Sequence, residues 1–144
     1  MPRLEETASP PPRERARAWV AVVDDDASIR TSLARLCSCH GIRTETFSSA
    51  EDYLQRGATR APVCIILDVH LGPGLSGFEL HDRLKSDGRA RPTIFVTGRP
   101  EVIPHGPTAS DVVCAFLWKP VDCELLLALV RAEMRDDEAE RAQG

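Results

Sequence analysis

Near the middle of the chain stands the run Val63-Cys64-Ile65-Ile66-Leu67, which is apolar without a break and ends at Asp68. Its length and its β-branched residues are typical of a strand that is buried on both faces of a sheet. The run 19–23 has the same character and is followed by three consecutive acids, Asp24-Asp25-Asp26. These runs predict a parallel sheet with carboxylates gathered at one edge.

Helix-like and strand-like segments alternate around these two runs. Apolar residues recur at helical spacing over 27–39, which predicts a helix that stops at Gly41. Capping-box patterns at Ser48 and Ser76 predict two further helix starts. The other predicted elements are strands at 42–47, 93–96 and 114–118, and a last helix from Asp122 to about 134.

This alternation predicts an α/β fold with a doubly wound, five-stranded parallel sheet over residues 18–134. The prolines between the fourth and fifth strands disfavour a regular helix before Thr108, so we expect a short or irregular fourth helix. Residues 1–17 are proline-rich and almost without apolar residues, which predicts a flexible tail. The charged residues 135–144 are expected to form a tail or a solvated helix end.

Composition narrows the class of function. The 144 residues are 42% hydrophobic and 28% charged, as in one globular domain. The net charge of −4 argues against direct nucleic-acid binding, which favours clustered basic residues. No apolar run reaches the roughly 20 residues of a membrane-spanning helix, and no secretory signal pattern opens the chain. We therefore expect a cytoplasmic protein that is not inserted in a membrane.

Polar side chains are predicted to meet at the carboxyl ends of the strands, where open parallel sheets bind ligands. They are Asp24, Asp25, Asp68, Thr97 and Lys119. Converging carboxylates repel one another unless a cation joins them, and an oxygen-lined site suits Mg²⁺. The alternative for the acidic run is helix capping, which suits Asp26. The chain has two lysines and sixteen arginines, so the lysine at position 119 indicates that a compact positive charge is needed there. An ordinary surface lysine is the alternative.

Four motifs occur in order: Val22-Val23-Asp24-Asp25-Asp26, Ile66-Leu67-Asp68-Val69-His70-Leu71 followed by Ser76-Gly77, Val96-Thr97-Gly98, and Phe116-Leu117-Trp118-Lys119-Pro120. With these motifs the chain resembles a receiver domain of the two-component response regulators over about residues 18–134. The residues around Asp68 and Thr97 are similar to the nitrogen-fixation-regulator subgroup. The resemblance implies a flavodoxin-like (βα)5 fold and a signalling domain rather than an enzyme with its own substrate.

The resemblance also implies the chemistry of the site. Asp68 would accept a phosphoryl group from a sensor histidine kinase or a phosphotransfer protein and later lose it by autodephosphorylation. Mg²⁺ would be held by Asp24, Asp25, Asp68 and the backbone carbonyl of His70. Lys119 would neutralise charge on the transferring group.

A conformational switch is implied as well. Thr97 would bond a phosphoryl oxygen, and Phe116 would turn inward as Thr97 moves. The face of the fourth helix, fifth strand and fifth helix would then change its preference for a downstream protein or a second copy. Ten residues follow Met134, too few for a helix-turn-helix, so we expect a stand-alone receiver or a fragment of a longer regulator.

Departures from the family pattern leave alternatives open. Gly72-Pro73-Gly74 lengthens the loop after Asp68, and the segment 104–107 is irregular. The irregular segment motivates a pseudo-receiver that binds partners regardless of phosphorylation. A phosphatase with an Asp nucleophile would carry a second Asp where this chain has His70. Three other histidines fall on positions predicted to be exposed or at a helix end, and they receive no role: His40, His81 and His105.

Overall fold

The computed structural model describes residues 18–57, 60–99 and 113–143. Within these ranges, five strands form one parallel sheet in the order β2-β1-β3-β4-β5. The elements are β1 (Val20–Val23), α1 (Ala27–Cys39), β2 (Thr44–Phe47), α2 (Ala50–Arg56), β3 (Cys64–Asp68), α3 (Gly77–Ser86), β4 (Thr93–Thr97), β5 (Val113–Trp118) and α4 (Cys123–Gln143). The predicted five-stranded parallel α/β fold is confirmed.

Two apolar layers cover the sheet, one on each face. Every residue of the central strands β1, β3 and β4 is buried. Alternate residues enter opposite layers, so that Leu67 belongs to one layer while Ile66 belongs to the other. Leu126 and Val130 of α4 complete the second layer. Burial on both faces explains why these strands are continuously apolar in the sequence.

Side chains cap the first turns of the helices that follow the carboxyl ends of β1, β2 and β3. Asp26 caps α1 as predicted, and Ser76 forms the predicted capping box with Glu79. At α2 the prediction is wrong by one residue, because Ser49 rather than Ser48 accepts the bond from the helix amide. Two adjacent serines make either register possible in the sequence, and tertiary contacts decide between them.

The C-terminal helix is longer than predicted. Helix α4 continues to Gln143 instead of ending near 134, so the described part of the charged segment is a solvated helix end and not a tail. An ion pair one turn apart stabilises this extension, with 2.7 Å between Arg141 Nε and Asp137 Oδ2. In the described part of the chain, no helix is long and apolar enough to cross a membrane.

Two predicted features lie outside the described residues. They are the flexible tail at 1–17 and the short or irregular helix expected between the fourth and fifth strands. The second lies in the segment 100–112, which includes His105. His81, in contrast, is described, and its predicted exposure is wrong. Its side chain is 1% exposed, and its ring lies edge-on to Phe95 with 5.5 Å between ring centroids. The helical spacing of α3 places His81 beside Leu80 and Leu84 on the inward face, where an imidazole packs as an aromatic ring.

Candidate functional site

Three charged groups meet at the carboxyl ends of β1, β3 and β5. Asp24 follows β1, Asp68 ends β3 and Lys119 follows β5. Lys119 Nζ lies 3.3 Å from Asp24 Oδ2 and 3.4 Å from Asp68 Oδ2. Since β4 separates β3 from β5, the lysine side chain reaches across the end of β4 to bridge both carboxylates. The Lys119-Pro120 peptide bond is cis.

The two bridged carboxylates are almost inaccessible to solvent. Asp24 is 2% exposed and Asp68 is 4% exposed. Burial, followed by the charge of Asp24, raises the pKa of Asp68 to about 6, although Lys119 and the His70 amide act in the opposite direction. Burial lowers the pKa of Lys119, but the two carboxylates outweigh burial and leave that pKa raised. Lys119 therefore stays charged at neutral pH, and the carboxylate pair remains short of positive charge.

Backbone hydrogen bonds hold both aspartates in place. The Asp24 amide donates to the carbonyl of Phe47 at 3.1 Å, which ties it to the end of β2. Nη1 of Arg30 donates to the Asp24 carbonyl at 2.8 Å. At Asp68, Oδ1 accepts a hydrogen bond of 3.2 Å from the His70 amide. The other carboxylate oxygen of Asp68 faces Lys119, so its two oxygens have different partners.

Asp25 adds a third carboxylate to the same edge. One oxygen from each of Asp24, Asp25 and Asp68 lies within 4.8 Å of the others. Asp25 is exposed while the other two are buried, so the cluster opens to solvent on one side. An all-oxygen donor set with room for water ligands fits Mg²⁺. The fourth predicted ligand, the carbonyl of His70, belongs to the residue whose amide already bonds Asp68, and its ligation stays a prediction.

The two predicted switch residues contact groups other than the carboxylates. Thr97 Oγ1 accepts from the Arg99 amide at 2.9 Å and donates to the Arg99 carbonyl at 3.3 Å. Phe116 stacks on Phe95, with 5.2 Å between ring centroids and 16° between ring planes. It also meets Phe78 edge-on at 6.3 Å. In this structure the Phe116 ring therefore packs on the aromatic side of the core, and the Thr97 hydroxyl bonds its own loop.

The roles of three residues that shape this edge were not predicted from the sequence. A Cβ atom at Gly77 would lie 2.2 Å from the Asp68 carbonyl oxygen, so only glycine allows this close approach. Glu51, the last residue of the capping-box pattern that begins at Ser48, accepts a bond from the Leu75 amide instead. Arg30 falls on α1 one turn after the acidic run, and this spacing is a signal from which its contact with Asp24 could have been predicted.

Residues 20–131 match the family described as the response regulator receiver domain. The chain belongs to this family. Receiver domains are signalling domains of two-component systems, and each residue that forms the cluster lies within the matched range. The receiver is similar to Nodulation protein W of Bradyrhizobium diazoefficiens, with 38% identity over 128 residues that cover 88% of the chain and 56% of the relative.

The receiver is also similar to Transcriptional regulatory protein FixJ of Azorhizobium caulinodans. The two are 37% identical over 116 residues, which cover 80% of the chain and 54% of the relative. The chain thus spans about half the length of these curated relatives. Their names agree with the predicted likeness to the nitrogen-fixation-regulator group.

Solved structures show the same fold. The low-resolution structure of the response regulator StyR superposes with a TM-score of 0.76 at 31% identity, over 89% of the chain and 64% of StyR. A CheY-like receiver from Methanospirillum hungatei superposes with a TM-score of 0.69 at 23% identity, over 86% of the chain and 98% of that protein. The predicted receiver fold is confirmed by both.

Proposed function

We propose that this receiver is a cytoplasmic phosphoacceptor that takes a phosphoryl group onto Asp68 and thereby changes its binding to a partner. The phosphodonor would be the phosphohistidine of a sensor histidine kinase or a phosphotransfer protein. One observation carries this proposal: a buried carboxylate at the end of β3 lies 3.4 Å from the ammonium group of Lys119. The net charge of −4 supports partner binding without direct contact to nucleic acid.

The reaction uses the ionised carboxylate of Asp68 as the nucleophile. An oxygen of Asp68 attacks phosphorus, the bond from phosphorus to the histidine nitrogen breaks, and the imidazole leaves with that electron pair. Lys119 Nζ, which is 3.4 Å from Asp68 Oδ2, would stabilise the negative charge on the oxygens of the transferring phosphoryl group. The His70 amide holds Oδ1 of Asp68 and so orients the carboxylate for attack. Hydrolysis of the resulting acyl phosphate restores Asp68.

The acidic cluster would hold Mg²⁺ during this transfer. Asp24, Asp25 and Asp68 supply carboxylate oxygens, and the carbonyl of His70 is the remaining protein ligand in the proposal. A bound Mg²⁺ supplies charge that neutralises the phosphoryl oxygens. The exposed position of Asp25 keeps the cluster open to solvent, where a phosphodonor approaches.

The switch would start at Thr97. After phosphorylation its hydroxyl leaves the Arg99 backbone and bonds a phosphoryl oxygen, while Phe116 follows the movement of the loop. Trp118 and Leu125 are the large apolar side chains that are exposed in the described ranges, at 48% and 45%. They lie on β5 and α4, so they support a partner surface for a downstream protein or a second copy.

Mg²⁺ affinity is expected to depend on pH through Asp68. Its pKa of about 6 means that a proton competes with the metal below that pH and not above it. We expect the affinity to be constant above about pH 7 and to fall up to tenfold per pH unit below about pH 6. Calorimetric titration with MgCl₂ across this range measures it. An affinity that stays constant down to pH 5 would contradict the assignment of Asp68 as a ligand.

The phosphoacceptor proposal is tested by intact mass after incubation with acetyl phosphate. We expect one phosphoryl adduct with Mg²⁺, none after chelation, and decay of the adduct over time once the donor is removed. The Thr97→Ala variant should still form the adduct, because it retains the nucleophile and all metal-ligating carboxylates, whereas Asp68→Ala should form none. An adduct that forms equally without metal would contradict the role of Mg²⁺. No adduct with acetyl phosphate, together with no change in Trp118 fluorescence on adding beryllofluoride, would contradict the proposal and favour a pseudo-receiver.

A further inference from the structure

The loop between β3 and α3 is tied to α2 by one side chain. Oε2 of Glu51, in the first turn of α2, accepts a hydrogen bond from the Leu75 amide at 2.9 Å. Two hydrogen bonds lower the pKa of Glu51: the one from the Leu75 amide has the larger effect, and the one from the amide of Glu51 itself has the smaller. The carboxylate is therefore ionised at neutral pH and accepts a charge-assisted hydrogen bond.

The tied loop passes between two carboxylates. A Cβ atom at Gly74 would lie 2.7 Å from Oε2 of Glu51. A Cβ atom at Gly72 would lie 3.3 Å from Oδ2 of Asp25. Both glycines have positive φ values, 72° at Gly72 and 95° at Gly74, which allow the backbone to turn tightly here. The loop therefore lies between the two carboxylates, with Gly72 facing Asp25 and Gly74 facing Glu51.

The sheet order explains what this contact does. Strand β1 lies between β2 and β3, so the bond from Glu51 after β2 to Leu75 after β3 crosses the end of β1. Asp24 and Asp25 follow β1 at that point. Capping rules act over a few residues and could not predict this role, because Glu51 and Leu75 are 24 positions apart in the chain.

We propose that Glu51 is a positioning residue, which holds the loop 72–75 against Asp25 and so sets the affinity of the acidic cluster for Mg²⁺. The inference rests on the proposed function and adds a residue that is not itself a ligand. Hydrogen-bonded partners of metal ligands typically change metal affinity about 10- to 100-fold when they are removed. Glu51 acts on Asp25 through the loop and not by a direct bond, so we expect an effect at the low end of that range. Loss of the Glu51 carboxylate should therefore weaken Mg²⁺ binding while all ligands remain.

The test compares three variants of the full chain. Glu51→Ala removes the acceptor, whereas Glu51→Gln retains an oxygen that can accept from Leu75. Asp52→Ala is the matched control, because Asp52 is on the same helix but bonds the Ser48 amide and Arg56 instead of the loop. Two quantities are measured for each: the calorimetric Mg²⁺ dissociation constant, and the hydrogen-exchange rate of the Leu75 amide by NMR.

We expect Glu51→Ala to raise the dissociation constant about tenfold and to accelerate exchange at Leu75. Glu51→Gln and Asp52→Ala should stay within about twofold of wild type in Mg²⁺ affinity. Wild-type affinity in Glu51→Ala, or an equal loss in Asp52→Ala, would overturn the positioning role while leaving the proposed function intact. A wild-type chain that binds no Mg²⁺ would overturn both, even if exchange at Leu75 shows that the hydrogen bond exists.

Discussion

Asp68→Asn is expected to abolish the phosphoryl adduct and yet to make the metal-free protein more stable. Burial and the charge of Asp24 raise the pKa of Asp68 to about 6, from an unfolded value of about 3.9. Ionised Asp68 therefore opposes folding above about pH 6, and this cost disappears as the pH falls towards 4 and the carboxyl becomes protonated. At pH 8 an uncharged Asn should raise the free energy of unfolding by about 2 kcal/mol, because the raised pKa is the net cost of the charge and already includes the favourable contact with Lys119.

Urea unfolding in chelator at pH 8 and pH 5 measures this effect. The stability gain of Asp68→Asn should be largest at pH 8 and shrink at pH 5. Asp25→Asn is the matched control, because Asp25 is exposed and its charge opposes folding little. A destabilised Asp68→Asn variant at pH 8 would show that the ion pair with Lys119 outweighs burial and repulsion. The expected gain is a case of a functional site that costs stability.

Gly77→Ala is expected to lower the free energy of unfolding by about 3 kcal/mol, a large effect for one added methyl group. The added Cβ would lie 2.2 Å from the Asp68 carbonyl oxygen and 2.9 Å from the Val69 Cα, and backbone atoms of a buried strand end cannot move aside cheaply. The Gly77 amide also donates to the Val69 carbonyl at 2.8 Å, which keeps the helix start close.

The control for this prediction is Gly98→Ala. Gly98 lies at the same edge of the sheet, but an added Cβ there would meet nothing within 4 Å in the described structure. Thermal and urea unfolding of both variants should show a large loss for Gly77→Ala and a change within about 0.5 kcal/mol for Gly98→Ala. Equal stability of the two variants would contradict the close packing of α3 on Asp68.

The strands and the polar cluster were predictable because both depend on local sequence. A strand buried on both faces must be apolar throughout, so the positions where it ends are visible as the first charged residues, Asp24 and Asp68. Parallel strands place those ends at one edge of the sheet, which brings Lys119 to the same place. Helix caps are also local, which explains the success at Asp26 and Ser76.

Contacts between distant segments were not predictable in this way. The bond between Glu51 and Leu75 joins residues 24 positions apart, and the approach of Gly77 to the Asp68 carbonyl depends on the position of a whole helix. His81 falls on a position that the sequence predicts to be exposed, whereas the inward face of α3 buries it against Phe95. The length of α4 depends on charged pairs that stabilise a solvated helix without any apolar periodicity.

The most direct test of the central claim is to locate the phosphoryl group. After reaction with acetyl phosphate and Mg²⁺, borohydride reduction converts an aspartyl phosphate to homoserine, which tandem mass spectrometry locates in the chain. We expect homoserine at position 68 alone, and none when Mg²⁺ is chelated or the phosphodonor is omitted. Homoserine at position 24 or 25, or a phosphoryl group that resists reduction and resides on a histidine, would contradict the assignment of Asp68 as the phosphoacceptor.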